Sequence, residues 1–147
     1  MPKLRFPPFA YPILAVLACG LLRWAGFAPT SPVQVGVGFG VLAAGIAGMV
    51  WAVVSQVRAD TSPNPYTAAV VLVMSGPYRW SRNPIYVGDL LVIVGAALVL
   101  TQAWAIFLAI PCFLGLRRVV VHFEEPHLTE RFGATYIAYK ARTRRWV

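Results

Sequence analysis

Side chains that could bind or react with a ligand are concentrated in two short polar segments of this chain. The first segment, residues 75–89, combines serine, tyrosine, tryptophan, arginine and asparagine with two prolines. The second begins with the adjacent pair Glu124 and Glu125, two of only five acidic residues in 147. Carboxylates and guanidinium groups form charge-assisted hydrogen bonds, and carboxylates and tyrosines can also transfer protons. A binding or catalytic site is therefore expected in these two segments.

An alternative explanation is that these residues simply anchor the protein, since arginine and aromatic side chains are common where a membrane meets water. Arg79, Arg82 and Tyr86 fit this interpretation, and the two glutamates could be a solvated pair. Asp89 does not fit it, because it lies within a predicted apolar helix, three residues after Tyr86 and on the same helix face. An ionisable side chain within a membrane span suggests a function.

The elements that would position these residues follow from the apolar composition. The chain is 59% hydrophobic and only 12% charged, whereas a soluble domain of this size carries about 25% charged residues. Such a composition predicts an all-α, multi-pass membrane helix bundle, since a helix of about 20 apolar residues spans a bilayer. A single domain covering residues 1–147 is predicted, with about four transmembrane helices at residues 9–27, 33–54, 85–100 and 104–121. A loop is predicted at 55–84, and an amphipathic segment is predicted at the C-terminus, at 122–147.

The distribution of basic residues predicts the orientation of the bundle. The net charge is +8, and lysine and arginine lie outside the apolar runs or at their ends. The positive-inside rule therefore places both termini and the 55–84 loop in the cytosol, for a protein of the cell (inner) membrane. Nucleic-acid binding is not expected, because no aromatic and basic face or binding motif accompanies the charge.

Two local patterns concern the start of one helix and the packing of another. Asn83 and Pro84 predict the start of the third helix, with Asn83 as its cap and Pro84 at its first position. The second predicted helix contains small residues at four-residue spacing, which would let another helix approach closely. Packing within the chain is favoured over packing between two chains, which would make an oligomer. The small residues are Gly36, Gly40, Ala44 and Gly48.

The polar segments resemble the isoprenylcysteine carboxyl methyltransferase and phospholipid methyltransferase superfamily of integral membrane enzymes. The family pattern Gly-Pro-Tyr-Arg-x-x-Arg-His-Pro-x-Tyr-x-Gly corresponds to residues 76–88, preceded by Leu72-Val73. The later elements Glu-Glu-x-x-Leu, Phe-Gly-x-x-Tyr and a final arginine correspond to residues 124–128, 132–136 and Arg145. The match covers about the C-terminal half of the chain, and its joint order and spacing make it specific.

The resemblance implies transfer of a methyl group from S-adenosylmethionine at a membrane-embedded site that faces the cytosol. By position, Glu124 should hold the amino group of this cofactor, whose positive charges suit a carboxylate and aromatic rings. Arg82, Asp89 and Glu125 are catalytic candidates, through acceptor contact or proton transfer, and no metal site is predicted. The other cofactor-binding candidates are Leu72, Val73, Tyr78, Asn83, Pro84, Ile85 and Tyr86.

Two departures from the family pattern bear on the methyl acceptor. Asn83 replaces the family histidine, which removes a titratable group but keeps hydrogen-bonding capacity. Val120 stands one helical turn before Glu124, where the prenylcysteine enzymes have an arginine for the substrate carboxylate, unless Arg117 or Arg118 substitutes for it. A phospholipid amine is thus favoured as acceptor over a prenylcysteine-type carboxylate or a small thiol. A non-enzymatic membrane assembly or transport subunit is the alternative of a different class.

Overall fold

We describe residues 10–29, 31–60 and 71–147 of a computed structural model. The predicted start of the first helix at residue 9 and the middle of the predicted 55–84 loop lie outside these ranges. Within them the chain is helical and forms no strand, which confirms the all-α prediction. The helices are α1 (Ala10–Trp24), α2 (Pro32–Val57), α3 (Pro84–Leu100), α4 (Ala109–Val119) and α5 (Glu125–Arg142), with 3-10 helices at Gly76–Arg79 and Ala103–Leu108 and a π-helical turn at Val120–Glu124.

The outer surface of the bundle is strongly apolar. Helix α2 and the continuous helical stretch Ala103–Arg142 are long and apolar enough to cross a membrane, whereas α1 and α3 have 15 and 17 residues. Large apolar side chains face outward, including Trp24, which is 88% exposed, Leu21 and Phe107. Soluble monomers rarely expose such extensive apolar surface, which lipid would cover. The bundle is therefore a membrane fold, for which the number of four spans stays a prediction.

Helix α3 lies between α2 on one side and α1 and α4 on the other. The buried residue Pro84 begins it, because proline has a suitable φ and lacks the N–H that would be unpaired at this position. On the side of α1 and α4, Ile93 packs with Ala15 and Cys112 in a buried cluster. This face of α3 therefore points into the bundle, and it encloses the polar residues near the start of the helix.

Helices α2 and α3 approach each other closely through four glycines. A side-chain carbon on Gly38 or Gly45 of α2, or on Gly88 or Gly95 of α3, would lie 3.0 Å or less from atoms of the opposite helix. In each helix the two glycines are seven residues apart, a spacing that keeps them on one face with a drift of about 20°. The two helices are therefore in close contact over about two turns.

The predicted stripe of small residues on α2 does not form this contact, so the prediction that it packs within the chain was wrong. Nothing lies within 4 Å of a carbon added to Gly36, Gly40 or Gly48, and Ala44 is exposed. Residues at strict four-residue spacing rotate by about 40° per step around a helix with 3.6 residues per turn. The stripe therefore does not follow the face of α2 that contacts α3, where Gly38 lies. An oligomer contact through the stripe stays a prediction.

We expect Gly95→Ala to destabilise the bundle, because the added carbon would lie 2.6 Å from the backbone nitrogen of Leu42 and 2.9 Å from the carbonyl oxygen of Gly38. Backbone atoms cannot rotate away, so the helices must separate, at a cost of about 1–3 kcal/mol. Thermal unfolding in detergent, followed by circular dichroism, measures this loss. Gly40→Ala is the matched control, because its added carbon meets nothing; an equal loss in both variants would contradict the packing argument.

Candidate active site

The C-terminal residues 143–147, called here the C-terminal strap, lie beside the start of α3. The backbone N–H of Arg82 donates to the carbonyl oxygen of Arg144 at 2.9 Å. The side-chain amide of Asn83 donates to the carbonyl oxygen of Arg145 at 2.8 Å. Asn83 occupies the N-cap position of α3 but makes no side-chain cap bond, so its predicted capping role was wrong. The carbonyl of a residue 62 positions away orients the amide instead.

The π-helical turn between α4 and α5 brings both glutamates to the inner side of the bundle. The N–H of Glu125 bonds to the carbonyl oxygen of Val120, five residues earlier. Adjacent residues of a regular α-helix point about 100° apart, and the wider π turn lets Glu124 and Glu125 both contact groups from the start of α3. π turns of this kind are frequent at functional sites.

Glu125 is the centre of a cluster of charges. Its carboxylate accepts two hydrogen bonds from Arg145, at 2.7 Å from Nε and 3.0 Å from Nη2. The same carboxylate lies 3.1 Å from Arg82 and 3.5 Å from Lys140, and the Arg82 and Glu125 side chains are only 10% and 9% exposed. The hydrogen bonds that Arg145 donates to Glu125 raise the pKa of its guanidinium group above the ordinary value. The cluster joins the start of α3, helix α5 and the C-terminal strap.

Glu124 has a different environment from its neighbour. Its carboxylate accepts a hydrogen bond from the hydroxyl of Tyr86. Every ion pair found among the described residues involves Glu125, so none of them gives Glu124 a basic partner. The side chain of Glu124 is partly buried. A partly buried carboxylate with no counter-ion is suited to binding a cationic group.

The predicted cofactor-binding residues around the start of α3 form two adjoining apolar and aromatic clusters. Val73 and Tyr78 pack together with a buried alanine of α2, and Ile85 contacts both this cluster and that of Tyr86. Leu72 is half-buried and belongs to neither cluster. Burial raises the pKa of the Tyr78 hydroxyl far above its ordinary value, so this hydroxyl stays protonated.

Helix α5 bends at Gly133, whose backbone has φ of +50° and ψ of −126°. This conformation favours glycine, because a side-chain carbon would crowd the backbone. Beyond the bend, the Tyr139 hydroxyl donates to the carbonyl oxygen of Tyr78 at 2.7 Å, and Lys140 reaches Glu125. The glycine of the family pattern therefore has a structural role, since it returns the end of α5 to the site.

Asp89 lies on the face of α3 that points into the bundle, and it is only 4% exposed. Tyr86, which is also buried, lies three residues before it on the same face of α3. Over the ranges 10–29, 31–60 and 71–147, no hydrogen bond or ion pair involves its carboxyl group. A buried acidic group thus adjoins the candidate cofactor surface.

The contribution of the C-terminal strap could not be identified in the sequence beyond the final arginine of the family pattern. Trp146 of the strap packs against the cluster of Tyr86 and Val120, and its ring centroid lies 5.1 Å from that of Phe113. Local patterns contain no signal for this contact, because Trp146 and Tyr86 are far apart in the chain and meet only when α3, α4 and the strap assemble.

The chain also matches a known protein family. The family described as phospholipid methyltransferase matches residues 33–135, which is more than half of the chain. The chain belongs to the phospholipid methyltransferase family. In this family member, the matched range includes α2 except its first residue, all of α3 and both glutamates, whereas the C-terminal strap lies beyond it. The resemblance drawn from the motifs is thereby confirmed.

Protein-S-isoprenylcysteine O-methyltransferase of Saccharomyces cerevisiae is a relative of this phospholipid methyltransferase family member, with 36% identity over 70 residues. The aligned part covers 48% of this chain and 29% of the yeast protein, so the chain spans less than a third of that relative. No solved structure matches the chain.

Proposed function

We propose that this chain is an S-adenosylmethionine-dependent methyltransferase that acts at the membrane on a lipid-like or small hydrophobic acceptor. Membership of the phospholipid methyltransferase family supports methyl transfer, and the exposed apolar helices support action at a membrane. One observation carries the proposal. Glu125 is surrounded by three basic side chains, whereas the adjacent Glu124 has no basic partner in the described structure and accepts a hydrogen bond from Tyr86.

The residues around Glu124 fit this cofactor. S-adenosylmethionine, when bound, supplies an electrophilic methyl group on a sulfonium and carries an ammonium group as well. Glu124 would bind the ammonium, and the rings of Tyr78 and Tyr86 favour a nearby positive charge. Val73 and Ile85 would keep water away from the reactive centre and so protect it from hydrolysis. The cofactor would enter from the cytosol, where the predicted topology places the start of α3.

Asn83, Arg82 and Glu125 would act through the C-terminal strap. Arg82 and Asn83 hold its backbone by hydrogen bonds, and Glu125 holds the side chain of Arg145. We assign these three to positioning, since their observed partners belong to the protein itself. The remaining predicted cofactor contacts, which stay predictions, are Leu72 and Pro84.

Methyl transfer is an in-line displacement, so the site must align the acceptor with the methyl carbon more than it must react with either. The acceptor would arrive sideways from the bilayer, since the outward-facing side chains of the bundle are predominantly apolar. A phospholipid amine is the first candidate, and the family description supports it. A carboxyl group is the second, because the yeast relative is named for O-methylation, and a small thiol is the third.

Two measurements test this function. Calorimetry of the purified protein in detergent, with S-adenosylmethionine and with its homocysteine product, should show saturable binding of both. Membranes containing the protein should then transfer label from methyl-labelled cofactor, and the label is sought in lipid, protein and volatile fractions. Label confined to volatile thioethers would exclude a lipid acceptor. No binding and no transfer would exclude the enzyme and favour a non-enzymatic membrane subunit.

A further inference from the structure

Two aromatic side chains from opposite ends of the chain meet at the same buried cluster. Tyr11 of α1 and Trp146 of the C-terminal strap both pack against the cluster that contains Tyr86. This cluster adjoins the candidate cofactor surface, because the Tyr86 hydroxyl donates a hydrogen bond to Glu124. The family match covers residues 33–135 and includes neither aromatic residue. The candidate site is therefore in contact with two segments that lie outside the matched range.

Tyr11 is positioned by helix α4. Its aromatic ring lies over Gly115, since the three atoms nearest to a side-chain carbon added there all belong to this ring, with Cζ at 2.8 Å. The thiol of Cys112 donates to the backbone carbonyl oxygen of Tyr11 at 3.8 Å. A side chain larger than that of glycine at position 115 would therefore displace the Tyr11 ring.

Trp146 is positioned by the C-terminal strap and by α4. The side-chain amide of Asn83 holds the carbonyl oxygen of the preceding residue at 2.8 Å, and the Trp146 ring centroid lies 5.1 Å from that of Phe113. Tyr11, Phe113 and Trp146 are all half-buried. Leu114, which follows Phe113 on α4, is 54% exposed. The aromatic side chains thus extend from the buried cluster to the apolar outer surface of the bundle.

Rings at this place are suited to binding an apolar group. Tyrosine and tryptophan side chains bury about 150–250 Å² each, and their rigidity makes the entropic cost of such contacts low. An alkyl group that enters from the bilayer would exchange lipid for these rings, while its reactive end reaches the region of Tyr86 and Glu124. Rigid rings also discriminate by shape, since one methylene group in a hydrophobic pocket changes kcat/KM by about 10- to 200-fold.

The known relatives differ in the acceptor for which they are named. The matching family is described as phospholipid methyltransferase, whereas the yeast relative is named a protein-S-isoprenylcysteine O-methyltransferase. This chain is similar to both, so the similar segment alone does not determine the acceptor. Residues that reach the site from outside the matched range are suited to determine it. Tyr11 and Trp146 are two such residues.

We infer that Tyr11 and Trp146 contact the apolar part of the methyl acceptor and select acceptors by the width of that part. The inference rests on the proposed methyltransferase function and narrows its acceptor to one with an unbranched alkyl chain next to the reactive group. Both rings narrow the space beside the cluster of Tyr86. A straight chain contacts such rings along its length, whereas a branched or cage-shaped group would collide with them.

The test measures acceptor selection by the wild-type protein in lipid nanodiscs with methyl-labelled cofactor. Each reactive group is offered on a straight chain and on a wider group: dodecylamine and adamantylamine, S-dodecylcysteine and S-farnesylcysteine, dodecanethiol and adamantanethiol. We expect the straight member of a pair to be favoured in kcat/KM by about 10-fold or more. Equal turnover within every pair, or transfer to none of the straight probes, would overturn the inference but not the proposed function. Absence of binding of the homocysteine product to the wild-type protein would overturn both.

Two variants test the rings separately. Trp146→Ala removes one ring, and Gly115→Ala displaces the ring of Tyr11, so each should lower the preference for the straight acceptor about 10-fold. The affinity for the homocysteine product should stay unchanged in both. Trp24→Ala is the control for the first, since Trp24 is 88% exposed at the other end of α1. Gly20→Ala is the control for the second, because its added carbon meets nothing.

The ratio of kcat/KM for the two members of a pair distinguishes selection from a structural role. A variant that only loosens the bundle loses turnover of both members equally and leaves the ratio at its wild-type value. An unchanged ratio in both Trp146→Ala and Gly115→Ala would therefore refute selection by these side chains. Trp146→Phe, which keeps a smaller ring, should give a ratio between those of the wild-type protein and Trp146→Ala.

Discussion

Glu124→Gln should weaken the binding of S-adenosylmethionine about 10- to 150-fold, because a hydrogen bond to a charged group contributes about 1.5–3 kcal/mol. The amide keeps the size of the side chain and still accepts a hydrogen bond from Tyr86. It loses the negative charge that would face the ammonium group of the cofactor. Calorimetry with the unreactive homocysteine product measures the change without interference from turnover.

The matched control for this variant is Glu130→Gln, which removes the same charge from an exposed position on α5. Tyr86→Phe keeps the ring and removes only the hydroxyl that bonds to Glu124, so we expect a smaller loss of affinity, about 2- to 10-fold. If Glu124→Gln binds the cofactor as tightly as the wild-type protein, Glu124 does not hold it and the proposed site is wrong.

Glu125→Gln should lower the free energy of unfolding by about 3 kcal/mol, because removal of one partner from a buried ion pair leaves the other charge uncompensated. The loss of the ion pair costs most at Arg82, because its side chain is only 10% exposed and water cannot solvate its charge. The side chains of Arg145 and Lys140 are more exposed. The C-terminal strap should also detach, which exposes the bonds after Arg142 and Arg144 to trypsin. Thermal unfolding in detergent and the rate of tryptic cleavage measure the two effects.

A double-mutant cycle measures the interaction between Glu125 and Arg145 apart from the other contacts of the charge cluster. Glu125→Gln combined with Arg145→Gln should be less destabilised than the sum of the two single variants, since the second change removes one of the cations that the first leaves unpaired. Unchanged stability and unchanged cleavage of Glu125→Gln would contradict the positioning role. Glu124→Gln should show the opposite pattern, with lost cofactor affinity and retained stability, so the two adjacent glutamates can be distinguished experimentally.

Much of the fold was predictable because its causes are local or compositional. An excess of apolar residues predicts helices in a membrane, since only structures that satisfy their own backbone hydrogen bonds persist in lipid. Pro84 predicts the start of α3 through its fixed φ and missing N–H, and α3 does begin there. The spacing of the motifs around Tyr86 and Glu124 was specific enough to predict the family, which the match over residues 33–135 confirms.

The errors concern contacts between elements that are distant in the chain. A regular stripe of small residues predicted the face of α2 that packs within the chain. The contact with α3 is instead formed by Gly38 and Gly45, whose seven-residue spacing keeps both on one face of the helix. Asparagine is a common helix-capping residue, yet the side-chain amide of Asn83 donates its hydrogen bond to a carbonyl oxygen of the C-terminal strap. Neither the glycines that form the α2–α3 contact nor the acceptor of the Asn83 amide is determined by neighbouring residues in the sequence.

The two adjacent glutamates differ in ways that only the tertiary structure determines. Composition identifies Glu124 and Glu125 as unusual, and the family resemblance assigns them different roles, but nothing local in the sequence predicts the partner of either carboxylate. The π turn at Val120–Glu124, the bend at Gly133 and the return of the C-terminal strap give Glu125 three cations and leave Glu124 to Tyr86. Residue type and local spacing establish which side chains can carry charge, whereas the partner of each charge depends on long-range packing, because electrostatic interactions depend on distance in space and not along the chain.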